Sequence, residues 1–335
     1  MIAVLLLVLV GVQPGLGEEP RLELSAMFHD HAVIQLADRV PVWGSAEPGR
    51  EVVAHFDGIT SRTLADQQGR WMLSIHPKAY GGPHELRVES RGQKVVVSDL
   101  LVGEVWLCGG QSNMQWTVSQ SGDAGHEIAA ADWPSIRLFS VPLHVATEPC
   151  ADSRGRWAVC FPDTAADYSA AAYYFGRHLH RRLGVPVGLV LVAWGGTPAE
   201  AWASESTLLD NPDTAGIMAR YGSVLSADPR LISGYRAAVD HYKKLGSGEL
   251  DARWPEARPA PSAYAMSTQT RYLLSALGAA GGGEVPYGPA HFKSPAGLYN
   301  GMLCSVAPYA IRGVSGTRAN RMSANRPFTG IFLRP

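Results

Sequence analysis

The feature that most constrains this chain is an apolar run at residues 101–108, which reads Leu101-Val-Gly-Glu-Val-Trp-Leu-Cys108 and then turns through Gly109-Gly-Gln-Ser112. A strand with so little polar alternation belongs in a sheet covered on both faces, the habit of parallel sheets packed between helices. The glycines that follow end it in a tight turn. Open parallel sheets bind ligands beyond the carboxyl ends of their strands, so this turn is where chemistry is expected. Residues 168–183 carry a helical pattern, with Ala171, Tyr174, Phe175, His178, Leu179 and Arg182 on one side. Asp167 is the expected cap and Gly184 the expected stop. A second apolar strand at 187–193 ends in its own glycine turn, Trp194-Gly-Gly-Thr197. Strand, helix, strand with glycine turns after the strands predicts an open α/β sheet from residue 100 onward.

Before that point the texture differs. Short β segments at 40–44, 51–56, 70–75, 84–89 and 93–98 are separated by Pro48-Gly49, Asp57-Gly58, Gln68-Gly69 and Gly81-Gly-Pro83, which are turn residues. The pattern predicts a small antiparallel β-sandwich over 21–99, with no catalytic constellation of its own, serving as packing or as a substrate-side wall. The chain's 335 residues accommodate two domains. With 46% hydrophobic and 18% charged residues the chain can bury a large core, which excludes wholesale disorder. The net charge of -1 gives no general reason to expect nucleic acid or an anionic membrane as partner. Residues 203–290 are richer in polar, Pro and Gly positions and are expected to form peripheral helices and a loop. Nine Trp and twelve Tyr suit a sugar-handling protein, although most such residues are simply core.

The N-terminus reads as an address. Residues 2–10 are unbroken apolar, too short to span a bilayer, and Pro14 and Gly15-Leu-Gly17 follow. Residues 1–17 are therefore expected to be a signal peptide, leading to a secreted or periplasmic product with no stable membrane insertion after its removal. Of the four cysteines, Cys150 and Cys160 are near enough in sequence to bridge in an oxidising compartment. Cys108 and Cys304 read as buried small hydrophobes. No CxxC spacing occurs, and no metal or other cofactor is implied.

Ser112 stands at the tip of the first apolar strand. There a hydroxyl can meet a carbonyl carbon while its own N–H and neighbouring turn amides face the oxyanion. The turn is not the G-x-S-x-G elbow, since position 114 is Met. A Gly-x-Ser by itself describes a simple turn hydroxyl as well as a nucleophile.

The longer run Val102-Gly-Glu-Val-Trp-Leu-Cys-Gly-Gly-Gln-Ser-Asn-Met114 resembles the nucleophile block of the sialate O-acetylesterase family, a branch of the SGNH hydrolases. So do Phe28-His-Asp-His-Ala-Val-Ile-Gln35, Val40-Pro-Val-Trp-Gly44, Phe175-Gly-Arg-His-Leu179, Ala193-Trp-Gly-Gly-Thr-Pro198 and Leu298-Tyr-Asn-Gly-Met302. The resemblance covers most of residues 24–314. It implies an SGNH-like parallel-sheet esterase domain behind the β-sandwich, acting on an acetylated sugar or glycan through a serine acyl-enzyme. Ser112 is then the nucleophile. Its amide and that of Gly196, or of Gly195, form the oxyanion hole, with Gln111 and Asn113 as neighbours that orient the acetyl group or hold the turn.

The resemblance stops after Val314. The family's next block, approximately I-W-Y-Q-G-E-S-N, should supply an oxyanion asparagine, whereas residues 315–321 read Ser315-Gly-Thr-Arg-Ala-Asn-Arg321. An Asp-x-x-His block expected downstream has no counterpart. The codons tct-ggt-acc-agg-gcg-aat-cgg would encode 315–321 and, read from the third base, Trp-Tyr-Gln-Gly-Glu-Ser, so a frameshift after Val314 is the expectation, testable by resequencing. The esterase domain is then partial over 100–314, and 315–335 form an aberrant, disordered tail. Among His126, His144, His178, His180, His241 and His291, none is an obvious replacement base. The chain reads as an impaired carbohydrate O-acetylesterase, with a catalytically dead carbohydrate-binding protein or a non-functional fragment as the alternatives.

Overall fold

The computed structural model describes residues 21–227 and 291–317. Eight strands come first: β1 (Glu23–Leu24), β2 (Val33–Gln35), β3 (Val40–Ser45), β4 (Glu51–Phe56), β5 (Ile59–Leu64), β6 (Arg70–Ile75), β7 (Gly81–Ser90) and β8 (Gln93–Gly110). β1, β3 and β6 form one antiparallel sheet, and β5, β4, β7 and the first part of β8 another. Alternate residues of both, among them Val42, Leu73, Val52, Ala54 and Val88, meet in one apolar cluster. The Asp57-Gly58 turn joins β4 to β5 with both residues left-handed, at φ 47° and 75°, the geometry a two-residue hairpin demands. Gly81, Gly82 and Pro83, expected as a turn, instead open β7 as an irregular stretch of its pairing with β8.

β8 is an 18-residue strand that passes the 99/100 position without a break. Its second half enters a different sheet with β9 (Trp133–Ser140), β10 (Trp157–Cys160), β11 (Val187–Ala193) and β12 (Gly313–Thr317). β11 and β12 lie parallel to β8 on either side, β9 parallel to β11, and β10 antiparallel at the edge. This is the mixed sheet with helices expected of an α/β domain. The register of β8 against β7 shifts around Asp99, where φ is 54°, and the hand-over from β7 to β11 is complete by Glu104. Arg137 of β9, buried, donates to Asp99 through Nη1 at 2.7 Å and Nη2 at 3.2 Å, and His31 Nδ1 lies 2.6 Å from Asp99 Oδ2. The Arg137 guanidinium, ahead of His31, holds the Asp99 carboxyl below its ordinary pKa.

The helices are α1 (Ser112–Gln115), α2 (Ala124–Ala129), α3 (Pro162–Ala166), α4 (Ala170–Leu183), α5 (Glu205–Asp210) and α6 (Pro212–Ala227). α4 ends at left-handed Gly184 as its sequence requires, but its cap is Ser169, whose Oγ accepts from the Ala172 amide at 3.1 Å. Asp167, the expected cap, instead terminates α3. α4 lies close on β11: a methyl at Gly176 would come within 2.5 Å of Leu189. Val105, Leu107, Val190 and Val192 face the core shared with the antiparallel sheets, while Cys108, Leu189 and Ala193 face α4. Both faces of the β8–β11 pair are thus dry.

The cysteines are all free. The Cys150–Cys160 bridge does not form, because the two lie in different environments. Cys160 is buried in the core on the α4 side, whereas the Cys150 amide bonds to the Asn300 carbonyl at 2.9 Å and its thiol lies near that of Cys304. Burial pushes the Cys108 thiol up to about 12, so it is inert as a nucleophile. Cys304 is half-buried rather than enclosed.

Residues 315–317, expected as the start of a disordered tail, are the last part of β12, with Thr317 opposite Gly110. The expectations for residues 1–17, for most of 203–290 and for 318–335 fall outside the described residues. No helix among the described residues is long and apolar enough to cross a membrane.

Candidate active site

β8 delivers the chain to Gly110, and one residue later α1 begins at Ser112. The turn is held by backbone: the Gln111 carbonyl accepts from the Met114 and Gln115 amides, both at 2.9 Å, and the Ser112 carbonyl from the Trp116 amide at 2.9 Å. Met114 explains why this turn departs from the G-x-S-x-G pattern. Its side chain is 1% exposed in the core against α4, where Ser169 Oγ lies 3.4 Å from its sulfur. A glycine there would remove the anchor. With Met114 turned inward, Ser112 and Asn113 face solvent. The Ser112 amide is at the first helical position and has no intrahelical acceptor.

The neighbouring strand end closes on this turn. β11 runs in register with β8 to Ala193 opposite Gly110, and the Trp194 amide continues the pairing onto the Gly110 carbonyl at 3.2 Å. Gly195 then lies against the serine: a Cβ built there would sit 3.3 Å from Ser112 Cβ and 3.1 Å from Gln115 Oε1. The Gly195 amide donates to Gln115 Oε1 at 2.9 Å. Gly196 is different. It is exposed and left-handed at φ 76°, a Cβ built there would meet open space, and its amide has no acceptor among the described residues. Thr197 Oγ1 closes the loop by donating to the Trp194 carbonyl at 2.7 Å and accepting from Trp202 Nε1 at 2.9 Å.

Sequence reasoning singled out Gln111 and Asn113 and missed Gln115. The side chains of Gln111 and Asn113 make no hydrogen bond among the described residues, whereas the Gln115 side chain ties the two glycine turns together. Nothing local marks Gln115, since its partner is 80 positions away. Of the histidines, His126 and His178 are exposed on helices, His180 Nδ1 bonds the Val185 carbonyl at 2.7 Å, and the His144 backbone lies against Gly301. His291 is 9% exposed, and its Nδ1 accepts from the Lys293 amide at 3.1 Å. Burial, with Lys293 nearby, lowers its pKa to about 4, so it is neutral at pH 7. It stacks on Phe292, which stacks on Trp194 at 5.4 Å. His241 lies outside the described residues. Among the described residues no His or Asp side chain bonds Ser112 Oγ, and no three His, Cys, Asp or Glu side chains converge as a metal site.

A mixed sheet with helices and an exposed serine at the carboxyl end of a parallel strand, braced by a glycine turn from the next strand, fits an α/β fold of the esterase type. The comparisons narrow that class. No family model matches the chain. It is 40% identical over 151 residues to the sialate O-acetylesterase of Rattus norvegicus, covering 41% of this chain and 28% of the relative. It is 33% identical over 186 residues to the sialate O-acetylesterase of Homo sapiens, covering 50% and 36%. A crystal structure of a carbohydrate acetylesterase from Xanthomonas citri superposes with TM-score 0.62 at 27% identity, over 89% of this chain and 51% of that one. The chain is thus similar to sialate O-acetylesterases and to a carbohydrate acetylesterase over part of their length. It spans about a third of the length of these curated relatives, and about half of the solved structure.

Proposed function

We propose that this chain is built as a carbohydrate O-acetylesterase, with Ser112 as the nucleophile that takes the acetyl group in an acyl-enzyme. The carrying observation is the meeting of two strand-end turns: exposed Ser112 after β8, and Gly195-Gly196 after β11 packed against it. The Ser112 amide and the Gly196 amide then form the oxyanion hole. Gly196 is preferred to Gly195 because the Gly195 amide is already spent on Gln115. Gln115 keeps the two turns in step, and the antiparallel sheets ahead of residue 99 act as a wall behind the site. The acetylated sugar is the expected partner, and the apolar segment at 2–10 supports an extracytoplasmic destination.

Turnover depends on a base supplied from outside the described residues. Ser112 has no base among the described residues, and 315–321 do not carry the asparagine block that the resemblance leads one to expect beside β12. Loss of triad members commonly costs on the order of 10³–10⁶ in rate. The alternative reading is a carbohydrate-binding protein that does not turn over. Acetate release from O-acetylated sialic acid and from acetylated xylan, measured with a Ser112→Ala control, separates them. Slow release that vanishes in Ser112→Ala supports the esterase; sugar binding with no serine-dependent release overturns it in favour of the second reading.

A further inference from the structure

Trp116 is 53% exposed, although its neighbours Met114 and Val118 are buried. It lies one helical turn beyond Ser112, so its Cα is about 6 Å along from the nucleophile's. Its backbone is held at both ends: its amide donates to the Ser112 carbonyl at 2.9 Å, and its carbonyl accepts from the Ala170 amide at 2.8 Å, at the start of α4. The indole is held too, since Nε1 donates to the Gln120 carbonyl at 2.8 Å. With its one polar atom satisfied inside the protein, what the indole shows to water is apolar ring. An exposed ring fixed in place loses little side-chain freedom when something packs on it.

We propose that Trp116 is a sugar-ring platform: the apolar face of an acetylated pyranose stacks on its indole while the acetyl group reaches Ser112. This rests on the esterase reading of Ser112 and adds the residue that selects a sugar ester over a simple one. A flat, pinned aromatic tolerates several pyranoses, so the platform selects for the ring rather than for one sugar.

The test uses the full chain carrying Ser112→Ala, so that ligand is not consumed, titrated calorimetrically with the methyl glycoside of 9-O-acetyl-N-acetylneuraminic acid. Adding Trp116→Ala is expected to weaken binding about tenfold, and Trp116→Phe about two- to threefold. On the Ser112 background, the ratio of kcat/KM for the sugar ester to that for p-nitrophenyl acetate should fall about tenfold in Trp116→Ala, through KM of the sugar ester. Equal affinity in parent and Trp116→Ala overturns the proposal, as does absence of sugar binding by the parent. So does an equal fall for both esters, or loss of folding in Trp116→Ala together with unchanged affinity in Trp116→Phe. If Ser112 proves inert, the calorimetry still decides the role of Trp116, so the two failures stay separate.

Discussion

The two halves of β8 are one strand under two different burial rules. From Gln93 to Ser98 it is paired antiparallel, and Lys94, Val96 and Ser98 are exposed. From Leu100 to Val105 every residue is buried, because the strand is flanked first by β7 and the parallel β2 and then, from Glu104, by the parallel β11, with its apolar side chains in the main core. The first half needs only alternation; the second cannot accept a polar side chain on either face unless that side chain is paired. Glu104 illustrates the condition: it is 5% exposed, accepts from the Tyr80 hydroxyl and pairs with Arg312 at 3.3 Å. The rigid half is the one that ends at Ser112. The turn proposed to carry the nucleophile is held in place by the strand behind it, and here that strand is dry on both sides.

This contrast can be broken most forcefully by placing a charge in each half, at buried Val105 in one and at exposed Val96 in the other. Val105→Asp should cost about 4 kcal/mol or more, or prevent folding, since the carboxylate would be buried without a partner. Val96→Asp, at a position 39% exposed, should stay within about 0.5 kcal/mol in the same denaturant titration. Comparable losses would show that the halves are not under different rules.

The junction itself is the next target. Asp99→Asn should cost about 2 kcal/mol, less than the 3–5 typical of a fully buried pair because the Asp99 side chain is 37% exposed. The sign with pH follows from the lowered pKa. The folded state binds the Asp99 proton less readily than the unfolded state, so the contribution is complete above the unfolded carboxylate range, near pH 4, and is lost as pH falls through the lower folded value. The deficit of Asp99→Asn should therefore be full at pH 7 and shrink below about pH 4 in urea unfolding curves.

The smallest expected effect on stability lies at the far end of β8. Gly195→Ala presses a methyl on Ser112 Cα and Cβ and on Gln115 Oε1 and should cost about 1 kcal/mol, since contacts of 3.1 to 3.4 Å need to yield by only tenths of an ångström. Serine-dependent acetate release should nevertheless drop about tenfold, because misplacement of a nucleophile is amplified in rate. A melting temperature that falls while the rate holds would refute the bracing role given to this pair.

Much of this was readable beforehand because it is local. The unalternating run at 101–108, the Asp57-Gly58 hairpin, the glycine stop at 184 and the second strand at 187–193 each carry their cause within a few residues. The family resemblance then located Ser112 and the Gly195-Gly196 turn. What was misread depended on distant partners. Asp167 and Ser169 are both capping residues, and only the packing of α3 decides which one starts α4. The Cys150–Cys160 pairing followed from sequence proximity, but the sheet separates the two. β9 and β12 carry few cues of their own, because a strand inserted between or beside others takes its stability from them. The sequence by itself determined that a serine would stand at the end of a buried parallel strand. That β8 joins both sheets through Asp99 and Arg137, that Gln115 rather than Gln111 braces the site, and that Trp116 is left facing water were decided by tertiary structure. Each depends on contacts between residues 38 to 80 positions apart, or on what a neighbouring element leaves uncovered.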